Sequence, residues 1–292
     1  MQQVKTWLEA RNRLAGVSVT ARAGQMPDLT QEAVAKGHRN LLILGGDGTA
    51  NEVANGIMTQ AICPSDEITI GVIGVGTGND WLRTLGISTK VDQALQVLDK
   101  GVIAKHDVGL VSWGADEEHR RYFVNIAGSG FDGEVTLGVA NQKGWMAGTK
   151  FAYWKHIVRS LFSYKRTQLR LQVGREDLEM ETLTLAVGVC RYNGGGMKQC
   201  PDADYSDGLL DVTLIGKMST AEMVMRLPMM LNGSFVKLPQ VHRWTGEEVR
   251  ISSHPEVWLE VDGEVLGQTP GVVRCLKQRL RVLVPADKQA KQ

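Results

Sequence analysis

The chain has 292 residues, of which 43% are hydrophobic and 22% charged, and a formal net charge of +1. That length allows one large domain or two of ordinary size with real cores, and the composition is that of a globular protein. A charge balance so close to zero gives no reason to expect nucleic acid as partner, and no apolar run approaches the roughly 18 residues that a membrane span needs. The four cysteines, Cys63, Cys190, Cys200 and Cys275, contain no CxxC pair, which points to reduced thiols rather than a zinc or disulfide framework. The N-terminus lacks a secretory apolar region, so the expected location is cytoplasmic, with contact to a membrane surface left open.

Residues 1–14 read as an amphipathic helix with Val4, Trp7, Leu8 and Leu14 toward a core. Gly16 stops it, residues 17–20 (VSVT) read as a short strand, and residues 29–37 as a second helix with Thr30 as its N-cap. The stretch that organises the chain follows, LLILGGDGTANEVANGI at residues 41–57. Four apolar residues without alternation suit a strand covered on both faces. Gly45, Gly46 and Gly48 expose backbone N–H groups, and residues 51–56 carry helical spacing closed by Gly56 as a C-terminal cap. A strand, a glycine turn with one carboxylate and a helix N-terminus make a site for polyphosphate and its Mg²⁺, though any tight strand-to-helix turn also favours glycine. Residues 68–85 (ITIGVIGVGTGNDWLRTL) repeat the plan, with Gly74, Gly76 and Gly78 before Asn79-Asp80 open a helix. Two such turns on neighbouring parallel strands would share the carboxyl edge of a sheet, where open α/β folds bind ligands.

Residues 91–98 read as a helix and 101–111 as a strand leaving the first domain. Beyond it, residues 121–127, 169–173, 183–189, 210–215, 249–251, 256–261 and 271–276 read as strands, with 280–284 as the last and 285–292 as a polar tail. Long helical patterns become rare, the pattern of an antiparallel β-sandwich. The expected organisation is an α/β domain over 1–105 and a β-rich domain over 106–284. The α/β grammar lacks its customary opening strand, which is expected to be missing from this chain.

Four further stretches bear on chemistry. Residues 128–133 (GSGFDG) match G-x-G-x-x-G, but no carboxylate occurs between Glu134 and Glu176 to hold a ribose, which discounts a dinucleotide site. Residues 135–175 contain no Asp or Glu and interleave basic side chains with Trp145, Phe151, Tyr153, Trp154, Phe162 and Tyr164. That pattern fits either a helix packed on the sheet or a segment lying against anionic headgroups. Asp202, Asp204, Asp207 and Asp211 form either a solvated acidic turn or a loop for a hard cation. Asp262-Gly263 between apolar runs is foremost a hairpin turn. The six histidines show no HxxxH or HExxH spacing, so histidine-based zinc catalysis has no support.

Taken together, Gly45-Gly46-Asp47-Gly48-Thr49 and Gly76-Thr77-Gly78-Asn79-Asp80 resemble the nucleotide loops of the soluble diacylglycerol kinase-like lipid kinases, a family that includes the sphingosine and ceramide kinases. NAD kinases and phosphofructokinases share the first loop only in part. The resemblance implies ATP and Mg²⁺ bound through these loops, with Asn51 nearby, Asp47 toward the metal and Thr20 as a further nucleotide contact. It implies a structural Mg²⁺ at Asp204, Asp207 and the carbonyl of Leu209, and a proton acceptor at Glu264 with Asp262 as a neighbour that shares the role. The turn at 125–132 is implied to join the domains and line a cleft. The expected activity is γ-phosphate transfer from ATP to a lipid hydroxyl, as in diacylglycerol, with 135–175 at the membrane. The alternatives are a kinase of a soluble nucleotide such as NAD, and a nucleotide- or lipid-binding protein without turnover.

Overall fold

The computed structural model describes residues 1–140, 160, 164 and 166–291. The chain forms two compact units, Met1–His106 with Arg279–Gln292, and Asp107–Gln278.

In the first unit β1 (Asn40–Gly45) and β2 (Thr69–Gly74) pair in parallel, Gly45 opposite Gly74, and Arg281 and Val282 near the end of β14 (Gly271–Val284) continue the sheet parallel to β2. The two last apolar runs of the sequence are therefore one strand, which is why residues 279–292 fall with the first unit rather than ending the second. Helix α1 spans only Gln2–Glu9. Its Val4, Trp7 and Leu8 pack with Ala94 and Leu95 of α5 (Val91–Lys100) against Ile73. Residues 17–20 form no strand, and Val17 and Val19 are 55% and 64% exposed. β-Branched residues favour a pleated, half-buried surface, and a ladder needs a partner that these four residues do not find.

Two helix-end expectations are corrected. Thr30 lies inside α2 (Met26–Ala35), its hydroxyl donating to Met26 O at 2.8 Å. Gly56 lies inside α3 (Asp47–Thr59), where a Cβ would fall 2.7 Å from Thr30 Cβ and 2.8 Å from Pro27 O. It is a close-approach glycine between two helices, not a cap. Helix α4 (Asp80–Leu85) opens at the second glycine loop as its sequence predicts.

The second unit is an antiparallel sandwich. One sheet runs β10 (Val241–Gly246), β9 (Leu210–Ile215), β8 (Thr184–Gly188), β5 (Ile126–Gly130), β12 (Trp258–Val261) and β13 (Glu264–Gln268). The other runs β7 (Glu176–Thr182), β6 (Thr167–Val173), β11 (Glu248–His254) and β14, with β3 (Val102–Trp113) also on β14 and β4 (His119–Phe123) on β3. Side chains of both sheets meet in one core, among them Leu169 and Leu171 of β6, Leu185 of β8, Val249 of β11 and Val261 of β12, each essentially excluded from solvent. Each such side chain contributes about 1.5–3 kcal/mol by burial. Helices α6 (Phe131–Ala140) and α7 (Thr220–Asn232) supply Phe131, Val135, Met223, Leu227 and Met230 to a second apolar layer.

The glycine-rich stretch 125–132 is not a turn between domains. Residues 126–130 are a fully buried strand, and a Cβ on Gly133 would fall 2.6 Å from Trp258 O. Gly128 makes room on β5 for Glu260 of β12 and Asp132 of α6, and Gly133 lets α6 lie against β12, so the dinucleotide-like spacing serves packing.

Candidate active site

The in-register pairing of β1 and β2 sets the two glycine loops side by side. A Cβ on Gly76 would lie 2.6 Å from Gly46 Cα, and one on Gly46 3.0 Å from Gly76 Cα, so the two backbones touch where any other residue would part them. Val75 N–H donates to Gly45 O at 3.1 Å. Asp47 closes the junction: its Oδ2 accepts the Asp80 N–H at 3.1 Å and its Oδ1 the Trp81 N–H at 3.0 Å. The first residue of α3 thus caps the first turn of α4, an arrangement worth about 1 kcal/mol. A Cβ on Gly78 would fall 2.8 Å from Asp47 Oδ2, so that glycine admits the clasp. The carboxylate assigned from sequence to a metal is engaged in joining the loops.

Asn79 sits in the left-handed region at φ 54° and donates from Nδ2 to Gly76 O at 2.6 Å. Trp81 Nε1 donates to His106 Nε2 at 3.0 Å with both side chains fully buried, which fixes α4 and leaves the His106 proton on Nδ1. Asn51 is buried inside α3, where Asn55 Nδ2 donates to its O and Oδ1. Thr49 folds back toward Gly45, Thr77 is exposed, and Thr20 lies in the exposed stretch between α1 and α2.

What this edge offers a ligand is amide hydrogen. Gly46 is the N-cap of α3 and, having no side chain, supplies that end with no capping bond. Gly48 is exposed, and a Cβ there would meet nothing within 4 Å. A 13-residue helix with an uncapped N-terminus and open space before it is suited to an anion.

In the second unit Val261 pairs with Glu264 across a two-residue turn, with Asp262 at φ 49° and Gly263 at φ 85°. Positive φ at both central residues is what a primed hairpin turn requires, so the hairpin read from the sequence is present. The Asp262 carboxylate accepts three backbone N–H groups, those of Val124 (3.0 Å), Asn125 (3.1 Å) and Ile126 (3.0 Å). Glu264 is more open, its side chain 40% exposed, and its Oε2 accepts from Arg121 Nη2 at 2.5 Å. Of the two acids, Asp262 is tied to backbone and Glu264 keeps an approachable oxygen.

The acidic loop is ordered by its own amides. Asp204 Oδ1 accepts from the N–H and hydroxyl of Ser206, and Asp207 Oδ1 from the N–H of Leu209. Asp107, which sequence reading passed over, is fully buried and accepts from the N–H groups of Gly208 and Gln278, each at 2.6 Å. Burial pushes its carboxyl above the usual range. Among the described residues no three acidic, histidine or cysteine side chains converge on one point.

Glu260 and Asp132 were also missed. Glu260 is 1% exposed and burial pushes it up to about 8; burial likewise takes the half-buried Asp132 up to about 6. Most of the basic and aromatic stretch 135–175 lies outside the described residues. Of its described members, Arg166 and Arg170 pair with Glu181 and Asp177, and Tyr164 meets the Phe131 ring edge-on. No helix among the described residues is long and apolar enough to cross a membrane.

Comparison with known proteins bears on both units. Residues 1–111 match the diacylglycerol kinase catalytic domain, and residues 125–284 match the YegS C-terminal NAD kinase beta sandwich-like domain. The chain is 31% identical over 277 residues to the diacylglycerol kinase of Staphylococcus saprophyticus, covering 94% of this chain and 87% of the relative. It is 29% identical over 289 residues to that of Bacillus subtilis, covering 99% and 91%. The crystal structure of a diacylglycerol kinase from Bacillus anthracis superposes with a TM-score of 0.67 at 20% identity, over 91% of this chain and 83% of that one, a likeness of fold. Paired glycine loops in one unit and an Asp-Gly-Glu hairpin in the other accompany matches along nearly the whole sequence, and the chain belongs to the diacylglycerol kinase family of ATP-dependent lipid kinases.

Proposed function

We propose that the chain transfers the γ-phosphate of ATP to the hydroxyl of diacylglycerol. The observation that carries this is the backbone contact between Gly46 and Gly76, which joins an uncapped helix N-terminus to a second glycine loop at one sheet edge. Amides of residues 45–49 and 76–79 hold the triphosphate, and Asp47 keeps the two loops in one piece. Glu264 accepts the proton of the acceptor hydroxyl as that oxygen bonds to the γ-phosphorus and ADP leaves. Arg121 holds Glu264 by Oε2 and so presents Oε1. Positioning and fixed dipoles supply most of the rate in such a transfer, and one placed carboxylate suffices as base.

A hard cation fits the acidic loop in the chemistry of its donors, since two carboxylates and a backbone carbonyl offer oxygen alone and Mg²⁺ commonly takes one or two carboxylates and completes its shell with water. Asp204, Asp207 and the Leu209 carbonyl would hold it, where it would brace the loop that Asp107 grips from β3. The basic and aromatic stretch 135–175 is the proposed contact with the bilayer.

The test is phosphate transfer from labelled ATP with Mg²⁺ and mixed vesicles. With diacylglycerol present the parent yields a phosphorylated lipid and Glu264→Gln loses about 10²- to 10⁴-fold in kcat. Phosphorylation of NAD in place of lipid, or ATP binding with no product from either acceptor, overturns the proposal in favour of a soluble-nucleotide kinase or a binding protein.

A further inference from the structure

Glu260 lies four residues before the proposed base, on the strand that leads into its hairpin. Its Oε2 accepts the N–H of Gly263, the middle of that turn, at 3.0 Å, and its Oε1 is 3.4 Å from the Asn193 Nδ2 that donates to it. Across the sheet Glu260 pairs with Gly128. A Cβ on Gly128 would fall 2.5 Å from Glu260 Oε1 and 3.0 Å from Asp132 Cβ, so the missing side chain makes the space that Glu260 and Asp132 share. Two neutral amides join the acids: Asn193 Nδ2 also donates to Gln199 Oε1 at 3.3 Å, and Gln199 Nε2 to Asp132 Oδ2 at 3.1 Å.

Among the described residues, the ionisable groups on the surrounding elements offer this pair no compensating charge. Helix α6 contributes Asp132 itself and the exposed Glu134, and the hairpin contributes Asp262 with its oxygens on the amides of 124–126. Glu264 of β13 is matched to Arg121 of β4. In the loop after β8, Arg191 donates to Ala203 O and Lys198 lies over the Tyr192 ring.

We propose that Glu260 is a positioning residue for Glu264: its buried carboxyl group holds the Gly263 amide, and ionising it beside the acids Asp132 and Asp262 disturbs, by repulsion, the turn that aims the base. This rests on Glu264 acting as the base. Burial first, then the Asp132 charge, raises Glu260 to about 8, and burial raises Asp132 to about 6, so near neutrality the pair holds a single proton. Losing it places a second uncompensated charge beside Asp262. For an acid raised by folding, the stabilising contribution is complete below its ordinary range near 4.5 and is lost as pH rises through about 8.

Kinetics from pH 6.5 to 9.5 with MgATP and diacylglycerol vesicles test the role. The parent kcat is expected to fall about tenfold between pH 7 and 9. Glu260→Ala loses about tenfold in kcat at pH 7 with KM for ATP unchanged, while Glu260→Gln, which keeps the oxygen and cannot ionise, restores most of it and lacks the alkaline fall. A Gln variant that follows the parent's alkaline limb, or an Ala variant that raises KM alone, overturns the proposal. Should the parent phosphorylate no lipid, that failure belongs to the function assigned above. The Gly263 amide resonance then decides the positioning role. It moves with a midpoint near 8 in the parent and stays fixed in Glu260→Gln, and an amide indifferent to pH in both refutes it.

Discussion

Gly76→Ala is expected to weaken ATP binding by about 10- to 100-fold and to lower stability by about 1–3 kcal/mol, the usual cost of forcing atoms into a packed position. The added methyl would meet Gly46 Cα at 2.6 Å and Gly46 N at 3.3 Å, and both belong to backbone that has no rotamer to change. The loops must separate, and with them the Asp47 carboxylate leaves the amides of Asp80 and Trp81. Gly48→Ala is the matching control. Its Cβ enters open space, so the unfolding midpoint holds while ATP affinity falls, because the methyl stands where phosphate oxygens approach. Isothermal titration with MgATP and urea denaturation separate the two variants.

Asp262→Ala is expected to lose about 3–6 kcal/mol of stability. Three amides, at Val124, Asn125 and Ile126, lose their acceptor together, and a buried donor left without one costs about 1–3 kcal/mol, part of which water recovers at this half-buried turn. A further cost of about 1 kcal/mol comes from alanine at φ 49°, a conformation that Asp and Asn tolerate better. Asp262→Asn therefore loses less than half as much, since it keeps one acceptor and suits the left-handed region. Urea midpoints at unchanged slope give the ordering. Equal losses for the two variants would mean that the amides are not held through the carboxylate.

The glycine loops were legible because two backbones can approach as closely as Gly46 and Gly76 do only where no side chain stands between them, and glycine spacing records that directly. Both strand-to-helix turns, the shift to β structure after residue 101 and the 262–263 hairpin follow from local sequence alone. What stayed hidden depended on partners distant in the chain. Asp47 reads as a metal-facing acid until the amides of residues 80 and 81 arrive above it. Without the family resemblance nothing local tells Asp262 from Glu264, and the backbone of 124–126 is what makes one an anchor and leaves the other an open carboxylate. Glu260 occupies an ordinary strand position, and nothing local announces that Gly128 opposite makes room for it. The missed β7, β10 and β13 are polar at alternate or end positions, and the missed α7 holds Pro228 amid methionines, which blurs its helical signal. The misread 17–20 stretch is the converse case, β-branched residues with no strand to join.

Whether the two loops bind nucleotide as one anion cradle is decided by an amide spectrum of the parent titrated with MgATP. The amides of Gly46 and Gly48 and those of Gly76 and Gly78 are expected to shift together along a single saturation curve, while the Asp80 and Trp81 amides, already bonded to Asp47, move least. Shifts confined to one loop, or two loops saturating at different nucleotide concentrations, would contradict it.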